Sequence, residues 1–135
     1  KEMLQTGSGL YGISGGLSGD LRDVEEAAQR GSAEARTAVR AYAYAVKKYI
    51  GAYAAALGGL DALVFGGGIG QNSSAVRRLA TEGLEFLGVR LDGEKNAGHP
   101  RGADISQDGA PVRVYVVETN EEIVVARKAK ALLEA

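Results

Sequence analysis

Asp61 to Ser74, DALVFGGGIGQNSS, is the stretch whose reading decides the fold class. Ala62-Leu63-Val64-Phe65 is a short apolar run of the kind that forms a buried strand. Gly66, Gly67, Gly68 and Gly70 follow at once, and Asn72 or Ser73 can cap a helix through Val76, Leu79, Ala80 and Leu84. A strand that runs through a glycine turn into a helix is one way to build a nucleotide site. Glycine lets the backbone approach a ligand closely, and the free N–H groups at a helix start favour anions. Such turns also occur with no ligand. No Lys-Ser/Thr pair follows the glycines, so this is not a P-loop, and the order G-G-G-I-G is not the dinucleotide fingerprint.

Working upstream, Gly58-Gly59 stops a long helix that starts at Ser32 and ends near Leu57. Its apolar positions Ala35, Ala38, Val39, Tyr42, Val46, Tyr49, Ile50 and Tyr53 recur at helical spacing. From Ala41 onward nearly every position except Lys47 and Lys48 is apolar or aromatic, so this half packs in a core or against a partner. Core packing is the default for the Tyr42, Tyr49 and Tyr53 face. Gly51, Ala52, Ala54, Ala55 and Ala56 would also allow a close helix–helix approach. Charged residues interrupt the run, and it is too short for a membrane span.

A shorter helix precedes it, capped by Ser18 or Asp20, with Leu21, Val24, Ala27 and Ala28 as its apolar stripe and Gly31 at its end. Asp23, Glu25 and Glu26 suit the positive end of the helix dipole. Arg22 does not, unless it meets an anion; an Asp–Arg surface pair is the plain reading. Residues 1–19 are glycine-rich and read as a connector, with Leu10–Ile13 as a short strand or a loop pinned by apolar anchors.

Working downstream, a short strand is expected near Val89-Arg90-Leu91. Residues 93–111 read as an exposed polar loop with at most a short strand at Ala103–Ser106, and His99 is placed in that loop facing solvent. Pro111–Val117 is the second clear strand. Thr119-Asn120-Glu121-Glu122 then opens the last helix, and Thr119 with Glu122 has capping-box spacing. Glu121 lies outside that box. A carboxylate there can complement the dipole or ligate Mg²⁺ directly or through water. Both strong strands run straight into helices, which predicts an α/β domain with their carboxyl ends, Gly67–Asn72 and Thr119–Glu122, at one edge of one crevice.

The totals fit this picture. The 135 residues make one domain of ordinary size, and 45% hydrophobic with 24% charged residues is a soluble globular composition. A net charge of −1 gives no sign of a nucleic-acid or acidic-membrane partner. Cysteine is absent, which excludes disulfides and thiolate metal sites, and one histidine excludes a histidine metal cluster within the chain. The sequence begins at Lys1 with no signal-like apolar segment, and reads as cytoplasmic and as a piece of a longer protein.

Three stretches together resemble the acetate kinase family. They are SGDLRDVEEAA (18–28), KKYIGAYAAALGGLDALVFGGGIGQNSSAVR (47–77) with GLEFLGVRLD (83–92), and ETNEEIVVAR (118–127). The resemblance is to the C-terminal third of that family, within the acetate and sugar kinase, Hsc70 and actin superfamily. It implies the C-terminal segment of an actin-like, ribonuclease H-like ATPase domain, with a central mixed sheet flanked by helices and the N-terminal domain absent. It implies transfer of the ATP γ-phosphoryl group to acetate with Mg²⁺, giving acetyl phosphate and ADP.

By the same resemblance, Asp20, Leu21 and Arg22 match a segment that contacts ATP. Gly68, Ile69, Gly70, Gln71 and Asn72 match the nucleotide loop G-I-G-E-N, and Glu121 matches a glutamate used for Mg²⁺. The family's catalytic arginines, histidine and aspartate would lie upstream, so no catalytic residue is expected in this chain, and the isolated chain is expected to be inactive. The long helix would contribute to a homodimer. Three departures stand out: Gly66 where Thr or Ala is usual, Gln71 for Glu beside the nucleotide, and Glu118 for Pro before Thr-Asn-Glu-Glu. The alternatives are a propionate or butyrate kinase, since the acyl pocket would also lie upstream, and a non-catalytic nucleotide-binding or dimerisation module of the same fold.

Overall fold

The computed structural model describes residues 7–98, 100 and 102–133. The expected placement of His99 lies outside the described residues. In chain order the elements are α1 (Gly9–Ile13), α2 (Leu21–Gln29), α3 (Ala33–Leu57), β1 (Ala62–Phe65), α4 (Gly67–Asn72), α5 (Ser74–Thr81), a 3₁₀ turn (Glu85–Leu87), α6 (Gly93–Ala97), β2 (Ala103–Asp104), β3 (Arg113–Val116) and α7 (Glu121–Leu133).

Local chemistry sets the long elements. Ser32 accepts the Ala35 N–H at 3.1 Å and caps α3, and Gly58 ends it in the left-handed region at φ 76°. Asp20 caps α2 by accepting the Arg22 N–H at 2.9 Å. Ser18, the other candidate cap, instead accepts the Asp20 N–H and donates to Asp23.

Two apolar clusters meet along α3. The first joins α2, α3 and α5 through Leu21, Val24, Ala38, Val39 and Val76. The second places Ile50 of α3 and Ala80 of α5 against Phe65, Val114 and Val116 of the sheet. Val114 and Val116 are fully buried, and each such side chain is worth about 1.5–3 kcal/mol of burial.

The sheet order is β1-β3-β2. β1 and β3 are parallel, in register from Ala62–Arg113 to Phe65–Val116, and β2 pairs antiparallel with β3. The parallel pair sends both strands' carboxyl ends to one edge, as expected for an α/β sheet. On the opposite sheet face, among the described residues, Val64, Tyr115 and Val117 are exposed.

Several expectations are corrected. Leu10–Ile13 is part of the one-turn helix α1, closed by Ser14 N–H to Leu10 O at 2.9 Å, and not a strand or an open loop. The glycine stretch is itself helical in α4, and the next helix, capped by Ser73, ends at Thr81, short of Leu84. Gly83 at φ 77° turns the chain there. Val89 and Leu91 make isolated bridges, to Val112 and Ser106, and form no strand. Residues 93–97 are the short helix α6, capped by Asp92, and the strand in the loop is limited to Ala103–Asp104. Thr119 forms no capping box: Asn120 Oδ1 accepts the Ile123 N–H at 3.1 Å and caps α7. Tyr49 and Tyr53 are not core; they stack with centroids 6.2 Å apart and are 65% and 63% exposed.

Candidate functional site

Helix α4 leaves β1 at Gly66 and stands as a partition between two clefts. The first, of about 930 Å³, opens between the start of α2 and the α4–α5 junction. Asp20, Leu21, Arg22 and Glu25 form one wall; Gly68, Ile69, Asn72 and Ser73 form the other. Its size is that of a small-molecule site. The second, of about 650 Å³, opens on the other side of α4. There Gly67, Gly68, Gln71 and Asn72 face Glu118, Thr119, Asn120 and Glu122 from the β3–α7 turn. Gly68 and Asn72 belong to both.

The structure thus gathers most of the residues singled out in the sequence. Asp20, Leu21, Arg22, Gly68, Ile69 and Asn72 line the first cleft, and Gln71 lines the second. Glu121 is the first residue of α7, beside Asn120 and Glu122 of that second cleft. Gly70 lines neither. A Cβ there would stand 3.2 Å from the Phe65 carbonyl carbon, so its task is to let α4 pack on the end of β1. Gly68 differs: a Cβ added to it meets nothing within 4 Å, because it faces open cleft.

The walls carry distinct chemistry. Arg22 bonds Asp20 through Nε at 3.1 Å and Nη2 at 2.5 Å, with its own side chain 87% exposed. Those hydrogen bonds, first from the Arg22 side chain and then from its backbone, hold the Asp20 carboxyl down at about 2. The same pairing raises Arg22. Across the cleft, Ser73 Oγ caps α5 by accepting the Val76 N–H at 3.0 Å and donates to Glu25, tying α2 to the α4–α5 junction.

On the second side, Thr119 Oγ1 accepts from Gly67 N–H at 3.2 Å and from Gln71 Nε2 at 3.0 Å. These bonds span 52 and 48 residues of sequence and fix α4 to the β3–α7 turn. The Thr119 methyl occupies the space above Gly66, where a Cβ would come within 3.2 Å of it. That contact gives Gly66 a packing reason here.

One residue of this neighbourhood had no role in the sequence reading. Arg77 of α5 is fully buried. Its Nη1 donates to Gly70 O and Gln71 O, both at 2.8 Å, its Nε to Asn96 Oδ1 at 2.7 Å, and its Nη2 to Asn96 O at 2.9 Å. Burial lowers its affinity for the proton, and the nearby Glu25 charge opposes that shift. An arginine in a helix of polar and apolar residues reads as a solvated side chain, and no local signal marks it otherwise.

Among the described residues no group of three His, Cys, Asp or Glu side chains converges as a metal site. None of their helices is long and apolar enough to cross a membrane.

Comparison with known proteins agrees with the architecture. The acetokinase family profile matches residues 1–127. The acetate kinase of Natranaerobius thermophilus is 48% identical over 131 residues, covering 97% of this chain and 33% of that protein. The crystal structure of Porphyromonas gingivalis acetate kinase superposes with a TM-score of 0.83 at 42% identity, over 98% of this chain and 33% of that one. A propionate kinase from Francisella tularensis superposes with a TM-score of 0.81 at 34% identity, over 93% of this chain and 31% of that one. The chain spans about a third of the length of the relatives it matches. Its mixed sheet with flanking helices is part of the actin-like ATPase fold of these kinases. The chain belongs to the acetokinase family.

Proposed function

We propose that this chain is the C-terminal, nucleotide-holding third of a cytoplasmic acetate kinase, in which ATP phosphorylates acetate to give acetyl phosphate and ADP. The observation that carries this reading is the partition by α4. A nucleotide crossing Gly68 would set its adenosine in the first cleft, against Ile69, Leu21 and Arg22. Its phosphates would reach the second cleft, where Asn120 and Glu122 stand at the start of α7. Asp20, Arg22, Gly68, Ile69, Gln71 and Asn72 are the nucleotide-facing residues on this reading. Gly70 supports them from behind.

Mg²⁺ fits the same place. This ion keeps several waters and takes one or two carboxylates together with substrate phosphates, so it needs no cluster of protein ligands. Glu121, first in α7, is the carboxylate assigned to it, acting directly or through water. When bound, the ion would neutralise charge on the transferring phosphoryl group. This chain's own share is to bind and orient the nucleotide.

The remaining two thirds of the protein supply the acceptor pocket and the groups that act on the carboxylate. The exposed sheet face at Val64, Tyr115 and Val117 is one surface they would cover. The exposed Tyr44, Tyr49, Tyr53 and Leu57 of α3 would form the homodimer contact. A monomeric complete protein in sedimentation would remove that part of the proposal. Acetate is preferred as acceptor over propionate because two acetate kinases match this chain at 48% and 42% identity, against 34% for the propionate kinase.

Gly68→Leu tests the site. A Cβ at this position meets nothing within 4 Å, so the new side chain grows out from the helix into open cleft, and replacing glycine inside a helix favours the fold by up to about 1 kcal/mol. Calorimetric titration of the complete protein with ATP is expected to lose saturable binding, and acyl phosphate formation should fall with it, while Tm holds or rises. Unchanged ATP affinity in Gly68→Leu would place the nucleotide elsewhere.

A further inference from the structure

We infer that Arg77 is a positioning residue for the nucleotide, acting as a cap in trans that fixes the end of α4. The inference rests on the nucleotide reading above and adds to it a residue that touches neither cleft.

Helix α4, Gly67-Gly68-Ile69-Gly70-Gln71-Asn72, has only six residues, and half of them are glycine. Glycine is the poorest helix former after proline, and one and a half turns do not hold themselves together in water. The last four carbonyls of any helix also lack partners within it. In α4 the Ser73 N–H takes the Ile69 carbonyl at 2.9 Å. The next two, Gly70 O and Gln71 O, are both taken by Arg77 Nη1. A cation set at this end also complements the helix dipole.

The guanidinium is itself held rigidly. Nε and Nη2 grip Asn96 of α6, whose Nδ2 donates to Ser74 O at 3.0 Å. Among the described residues no side-chain carboxylate bonds Arg77; its partners there are three backbone carbonyls and an amide oxygen. A planar fork that reaches two helices at once is a task for arginine and not for lysine. Arg77 therefore bolts the end of a weak helix to α6. Asn72, which faces both clefts, directly follows one of the bolted carbonyls, at Gln71.

Freed of this bolt, α4 would tilt, and a shift of about 1 Å in a positioning element can cost up to about a hundredfold in rate. The experiment is steady-state kinetics of the complete kinase with Arg77→Met, Arg77→Lys and Ile105→Ala. Ile105 is equally buried but follows β2, at the sheet edge away from β1 and α4, so it controls for lost stability. All are measured below their melting points, with direct ATP calorimetry alongside. Arg77→Met should raise the ATP KM by about tenfold while the carboxylate KM stays put. Arg77→Lys should recover part of that loss. Ile105→Ala should lower Tm and leave the ATP KM alone.

An ATP KM in Arg77→Met no higher than in Ile105→Ala, or a carboxylate KM that rises equally, would make Arg77 merely structural and overturn the inference. If Arg77→Met does not fold, Arg77→Lys decides alone: an ATP KM equal to that of the unsubstituted enzyme overturns the inference, and a raised one supports it. Failure of the unsubstituted protein to bind ATP at all is a different result. It would sink the nucleotide reading itself.

Discussion

Each wall of the first cleft depends on an arginine, one on its surface and one behind it, and the two are held in opposite ways. On the α2 wall, Arg22 is 87% exposed and bonded to one carboxylate two residues away. On the α4–α5 wall, Arg77 is fully buried and bonded to four oxygens drawn from two other helices. An exposed ion pair gains little over water and can exchange its partner. A buried fork cannot leave without stranding the carbonyls it serves. One wall is adjustable, and its guanidinium can turn from Asp20 to the nucleotide. The other is a fixed template. If the comparison holds, substitutions on the template side lower stability first, and those on the adjustable side change binding first.

Gly70→Val strikes the template hardest. Its Cβ must fit where the Phe65 carbonyl carbon already lies 3.2 Å away. Overpacking against backbone costs about 1–3 kcal/mol, and urea unfolding should show a loss of that size. ATP binding would fall too, but through displaced helix rather than a blocked site, which is why Gly68→Leu is the cleaner probe of the ligand. A Gly70→Val protein of unchanged stability would mean that the end of β1 yields and the template is not rigid.

Ser73→Ala removes a smaller part of the same wall. It deletes the α5 cap and the bond to Glu25 that joins the two walls. Loss of such a cap costs about 0.5–2 kcal/mol, to be read from the urea midpoint. Because Ser73 also ties the template to α2, its effect on ATP affinity measures how far the adjustable wall depends on the fixed one. A loss of binding as large as in Gly70→Val would break the distinction between them.

The legible part of the site follows the same division. The strand Ala62–Phe65 and the helix from Ser32 to Gly58 could be read because their signals are local: an apolar run, a cap and a stop. The strand-to-helix order at both strong strands also placed Gly67–Asn72 and Thr119–Glu122 at one edge. Long-range bonds were not legible. Thr119 and Glu122 have capping-box spacing, yet the Thr119 hydroxyl is taken by Gly67 and Gln71, and the cap passes to Asn120. A run with three glycines in six residues reads as a turn; α4 is helical because Arg77 and Thr119 hold its two ends. Tyr49 and Tyr53 fit a core pattern, but periodicity shows only that a face is apolar, not that this chain covers it.

The smallest expected effect on stability lies on the adjustable wall, at Asp20. Asn is as good a helix cap as Asp, so Asp20→Asn keeps the bond to the Arg22 N–H and removes only the ion pair. The Asp20 carboxyl titrates at about 2 in the folded chain against an ordinary value of 3.8. A depressed carboxyl stabilises the fold above its unfolded value and loses that contribution as pH falls through the folded one. The parent should therefore exceed Asp20→Asn slightly in urea midpoint at neutral pH, and the gap should close as pH falls from 4 to 2. A gap that persists at pH 2 would assign the difference to something other than the charge. At neutral pH the variant also releases Arg22 from its competitor. If that guanidinium serves the nucleotide, the ATP Kd of the complete protein should fall by about threefold. A rise would mean that Arg22 is useful only where Asp20 holds it, and the adjustable wall would prove as fixed as the other.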